Sequence, residues 1–119
     1  MTMNIEEFRD FCIVKKGVTE ETPFGPDTLV FKVKGKIFAL SGIDHFEFIN
    51  LKCDPDYAQE LRANYVGVKP AYHANKRLWN SVYINQDVED KVIYQLIDDS
   101  YNLVRANLSK KLQKQLLEL

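Results

Sequence analysis

The chain has 119 residues, 45% of them hydrophobic and 28% charged, a balance that belongs to ordinary globular domains and excludes a disordered or low-complexity chain. That length closes one hydrophobic core and not two, so a single domain over residues 1–119 is expected. Sixteen basic and seventeen acidic side chains leave a net charge of −1, too weak a field to draw the whole molecule onto nucleic acid or anionic lipid.

Asn4 followed three residues later by Glu7 predicts a capped helix start, and Ile5, Phe8, Phe11 and Cys12 continue it as an apolar stripe. Lys15, Lys16 and Gly17 are expected to supply its basic last turn and its end. Residues 22–27 hold two prolines and a glycine and read as a loop pinned by Phe24. Residues 29–34 alternate, with Leu29, Phe31 and Val33 on one face and Val30, Lys32 and Lys34 on the other. Gly35 turns them into a second strand over 37–40. A third strand is expected over about 46–53, with Ile49, Leu51 and Cys53 opposite Phe48, Asn50 and Lys52.

Asp54 and Pro55 read as the cap and first residue of a second helix. Residues 66–72 and 78–84 predict two further strands, parted by the polar segment 73–77. Residues 85–87 then cap a long helix whose Val92, Ile93, Leu96, Ile97, Tyr101 and Val104 recur at three- and four-residue spacing. Leu108, Leu112, Leu116 and Leu119 carry a stripe into a short terminal helix. The expected class is α+β: a mostly antiparallel five-stranded sheet, order α-β-β-β-α-β-β-α-α, with the helices on one face.

Several chemistries find no anchor in this pattern. The five glycines form no phosphate-binding loop, and His45 and His73 belong to no metal-ligand spacing. Cys12 and Cys53 stand far apart on core-facing positions, where desolvation disfavours the thiolate. They read as free buried thiols, and no enzyme, metal or cofactor is expected. No apolar run approaches the length that spans a bilayer, and the acidic N-terminus is unlike a signal peptide, so a cytoplasmic protein with no membrane partner is expected. Glu6, Glu7 and Asp10 read as a solvated helix face.

The segment richest in recognition chemistry is 72–82. Alternation from Trp79 onward sends Val82 and Ile84 to the core and puts Trp79, Ser81 and Tyr83 on the face that carries Lys32, Lys34, Asn50 and Lys52. Aromatic side chains among lysines on an open sheet face can stack bases and neutralise phosphates. Residues 28–81 also hold the chain's positive excess, eight basic against five acidic side chains. The candidate ligand-binding residues are Lys32, Lys34, Tyr72, His73, Asn75, Lys76, Arg77, Trp79 and Asn80. The competing reading keeps Asn75 and Asn80 as turn and backbone-bonding residues and Trp79 as packing beneath a loop.

Across nearly its whole length the chain resembles the MmcQ/YjbR family of small bacterial proteins. The resemblance is carried by residues 21–26 (ETPFGP), 30–33 (VFKV), 36–40 (KIFAL), 50–53 (NLKC), 70–77 (PAYHANKR) and 79–82 (WNSV), and closes with Leu96-Ile97, Ser100-Tyr101 and Leu103-Val104. The family usually has histidine where Leu78 stands, threonine at Ser81 and glycine at Gln86. The resemblance implies a CyaY-like α+β fold and a DNA-binding role, through comparison with the double-wing domain of a phage transcription factor. The dense acidic ridge of the frataxin-like proteins has no counterpart here. DNA and another protein are the partners to test, and the molecule is a monomer or a homodimer that buries the open face.

Overall fold

A computed structural model describes residues 2–71 and 74–119. The chain opens with helix α1 (Ile5–Ile13), followed by strands β1 (Val18–Glu21), β2 (Thr28–Val33), β3 (Lys36–Gly42) and β4 (Phe48–Lys52). Helix α2 (Pro55–Asn64), strands β5 (Val68–Pro70) and β6 (Trp79–Tyr83), and helices α3 (Asp90–Ala106) and α4 (Lys110–Leu117) complete it. The strands form one sheet in the order β1-β2-β3-β4-β6-β5, and every neighbouring pair is antiparallel. The α+β class and the antiparallel sheet are as expected, but among the described residues the sheet has six strands and not five. The additional one is β1, four residues of which only Val18 is apolar, so no alternation marks it. Its pairing with β2, from Val18 opposite Val33 to Glu21 opposite Val30, makes it a strand.

The capping box at Asn4 and Glu7 is present in both directions, at 2.8 and 3.1 Å, and Asp54 accepts from the backbone N–H groups of Asp56 and Tyr57 at the start of α2. Three other expected boundaries differ. Helix α1 ends at Ile13, before the lysines, and Lys15 instead reaches α3 to pair with Asp98 while lying over the Phe11 ring, 4.3 Å from its centroid. Residues 85–87 do not cap α3, whose N-cap is Glu89 without a side-chain bond. Asp87 turns the other way and accepts the N–H groups of Val66 and Gly67, each at 2.7 Å, fastening the start of β5. Phe24 does not pin its loop from beneath, being 67% exposed.

The core lies between the sheet and the helices. Phe8 meets Phe31 edge-on at 5.4 Å, and Phe38 meets Tyr101 likewise at 5.3 Å. Ile93, Leu96, Ile97, Tyr101 and Val104 of α3 are buried as their spacing predicts. The terminal stripe is spent inward through Leu108 and Leu116, while Leu119 is exposed. A bulge between β2 and β3 skips Phe38, since Phe31 pairs with Ala39 and Lys32 with Ile37. Phe38 and Ala39 are both buried and Ile37 and Leu40 are half-buried, so the bulge gives Ile37 and Leu40 to the sheet face away from the helices. Val30, opposite Leu40 on that face, is fully buried, so this face is not uniformly polar as its alternation with Lys32 and Lys34 suggests.

Candidate functional site

Strand pairing decides which residues share the helix-free face. Asn50 stands opposite Ser81, Lys52 opposite Trp79 and Phe48 opposite Tyr83, and Leu40 stands opposite Asn50. Lys69 joins this face opposite Ser81, with its ammonium 5.3 Å from the Tyr83 ring centroid. The expected grouping of Trp79, Ser81 and Tyr83 with Asn50 and Lys52 is therefore what the register produces.

A hollow of about 420 Å³ opens on this face. It is lined by Ile37, Leu40 and Asn50 of the sheet, by Trp79, and by Phe24, Ala74 and Asn75 of the flanking loops. Trp79 and Ile37 also border a second hollow of about 440 Å³, where Lys36, Lys52 and the end of α3 at Asn107 meet. Trp79 is thus a partition between an apolar hollow with two carboxamides and a hollow with two ammonium groups. Ser81 Oγ donates to Asn50 Oδ1 at 2.5 Å; this bond engages the carboxamide oxygen and leaves its amino group as a donor. Neither Lys36 nor Lys52 has a carboxylate within ion-pair distance among the described residues.

The loop beside Trp79 is held from beneath. Asn75 accepts the Arg77 N–H on its side chain at 3.0 Å, and the N–H groups of Leu78 and Trp79 on its carbonyl at 3.0 and 2.9 Å. Arg62 of α2 donates through Nε to Asn80 Oδ1 at 2.6 Å and through Nη2 to the Lys76 carbonyl. The side chains of Lys76 and Arg77 project from this loop as exposed cations.

The sequence candidates therefore divide. Asn75 and Trp79 line the hollow, with Lys76 and Arg77 on the adjoining loop. Asn80 does not join them: it is 1% exposed, faces the helices and gives its Nδ2 to the Ala58 carbonyl at 3.4 Å. Lys32 lies on the right face but is paired with Glu21 at 3.2 Å. The Thr19 hydroxyl and the Lys32 ammonium hold that carboxyl below its ordinary value. Lys34 is not on the sheet face but in the turn after β2, with φ 49°. Tyr72 and His73 lie outside the described residues. Sequence reasoning missed Phe24 and Lys36 as site residues, and only the prolines flanking Phe24 hint that it is held outward.

Both cysteines are free and buried. Desolvation pushes the Cys53 thiol up to about 11 and raises Cys12 further, which disfavours nucleophilic use of either. Among the described residues no three His, Cys, Asp or Glu side chains gather as a metal would require, and no helix is long and apolar enough to cross a membrane.

Comparison with known proteins adds the lineage. The chain is 45% identical over 93 residues to YbdF of Escherichia coli O157:H7, covering 77% of this chain and 76% of that one. It is 30% identical over 118 residues to YjbR of Escherichia coli K12, covering 98% and 100%. A crystal structure of a Deinococcus radiodurans protein with a DUF419 domain superposes with a TM-score of 0.89 at 32% identity, over 95% of this chain and 87% of that one. A crystal structure of a Pseudomonas syringae protein gives a TM-score of 0.71 at 33% identity, over 85% and 98%. The YjbR family model matches residues 14–103, which include β1 through most of α3 and with them Phe24, Lys36, Asn50, Lys52 and Trp79, and the chain belongs to the YjbR family.

Proposed function

We propose that this YjbR-family chain is a non-enzymatic, cytosolic nucleic-acid-binding module that uses the helix-free face of its sheet. The observation that carries the reading is the grouping at Trp79: an aromatic partition with a hollow of about 420 Å³ on one side and Lys36 and Lys52 on the other. Aromatic faces take bases and lysines take phosphates, and the two must adjoin for one strand to use both. Lys76 and Arg77 extend the positive rim from the neighbouring loop. A net charge of −1 makes the interaction local, so weak binding with a marked salt dependence is expected.

The test is fluorescence anisotropy of labelled mixed-sequence DNA at low and at physiological salt. Lys76→Ala combined with Arg77→Ala should weaken binding several-fold at low salt and lower the salt slope by about one to two. An unchanged affinity and slope would remove those two residues from the interface.

A second reading, docking of another protein on the same face, has one observation in its favour: Phe24 stands 67% exposed on a loop flanked by Pro23 and Pro26, as an anchoring aromatic does. Absence of DNA binding at either salt would move the weight to it. Of the leucine stripe on the terminal helix, Leu108 and Leu116 are spent in the core and Leu119 is exposed.

A further inference from the structure

Resting on the nucleic-acid reading, we infer that the hollow between Phe24 and Trp79 is a subsite for a single unpaired base, with the phosphate beside that base held by Lys36 and Lys52 across the Trp79 partition. The ligand is then single-stranded nucleic acid, not duplex.

Three features of the hollow point to a base. It is lined by the aromatic side chains of Phe24 and Trp79 and by Ile37 and Leu40, so a planar, weakly hydrated group fits it better than a sugar or a charged side chain does. Its polar lining comes from the carboxamides of Asn50 and Asn75, whose oxygens are engaged by Ser81 Oγ and the Arg77 N–H and whose amino groups remain as donors to the acceptor atoms of a base edge. Its volume of about 420 Å³ leaves room for a base.

The phosphate subsite follows from register. Lys52 is the cross-strand neighbour of Trp79, and such neighbours place their β-carbons about 5 Å apart. An ammonium on a four-carbon stem therefore reaches a phosphate on the sugar of a nucleotide whose base stacks on Trp79. Lys36 opens the next strand and lines the same second hollow. Duplex DNA offers its phosphates to the lysines but not a base to the hollow, because its base faces are already stacked on one another.

Trp79 is the only tryptophan in the chain, so its emission reports this site alone. The probes are a twelve-nucleotide single strand of mixed sequence, the same sequence as duplex, and an abasic strand of equal length. The single strand should quench Trp79 and bind at least tenfold more tightly than either of the other two. Phe24→Ala, at an exposed position, should remove about fivefold or more of that preference without changing the salt slope. Lys36→Ala with Lys52→Ala should lower the slope by about one to two and keep the quench at saturation. Equal binding of duplex or of the abasic strand, with Trp79 unquenched, would overturn the base subsite while leaving nucleic-acid binding standing. No binding of any probe would overturn both.

Discussion

Lys34 has φ 49° and Gly35 has φ 83°, because the link from Val33 to Lys36 has only two residues and a two-residue hairpin turn whose twist matches its strands needs both of them left-handed. Glycine meets that demand without strain, whereas a lysine pays about 1 kcal/mol for it. Lys34→Asn should therefore stabilise the fold by up to about 1 kcal/mol, read as a rise in the urea midpoint. A fall would mean that the lysine stem, whose Cγ lies close to Gly17, packs well enough to outweigh the turn. The same substitution removes a positive charge, so DNA affinity measured in parallel separates the backbone role from the electrostatic one. Alternation over residues 29–34 was enough to put Lys32 on the helix-free face. It could not reveal that Glu21 pairs with it, since that carboxylate arrives on a strand recognisable only by its partner.

At the scale of elements, the bulge at Phe38 decides which side chains build the hollow. It sends Phe38 to the core beside Tyr101 and so leaves Ile37 on the floor of the site. A bulge also frees backbone groups from the ladder, and here Ser100 of α3 collects them. Its hydroxyl donates to the Phe38 carbonyl at 2.6 Å and accepts the Lys52 N–H at 2.9 Å, with no exposure to water. Ser100→Ala leaves both groups buried without this partner and should cost about 2–3 kcal/mol in urea unfolding. It should also weaken ligand binding, because Ile37 and Lys52 on either side of the bulge both border the hollows at Trp79. Caps and stripes were legible because they are local: Asn4 with Glu7, Asp54 with Pro55, and the repeat along α3 each need only a few neighbouring residues. Strand β1, the bulge, and the turn of Asp87 toward Val66 and Gly67 were not legible. Strand β1 and the Asp87 turn are each made by a partner outside their own segment, and the bulge is hidden because residues 37–40 are all apolar, so no alternation shows which side chain is skipped. The hollow itself was half legible: alternation delivers Trp79 and Asn50 to one face, but only the tertiary fold brings Phe24 across to them.

Across the whole molecule, the two thiols couple the core to alkaline pH. Cys12 on α1 and Cys53 at the end of β4 are 0% and 8% exposed, and desolvation, the largest cause for each, lifts both above the ordinary 9.0. A thiol raised in the folded state keeps its proton there while the unfolded chain loses it, so its contribution is complete below pH 9 and declines above it. The Cys53 share declines between pH 9 and about 11, and the Cys12 share continues to decline beyond that. Tyr101, raised by its own burial, acts with the same sign from about pH 10. The urea midpoint should hold level from pH 7 to 8.5 and fall steadily above 9, and Cys53→Ala should start lower but fall less steeply. Iodoacetamide at pH 8 should modify neither thiol in the native protein and both in urea. Native labelling of Cys53 alone would place a local opening at the end of β4, next to Lys52 and the second hollow, and would mean that the floor of the site moves without the core unfolding.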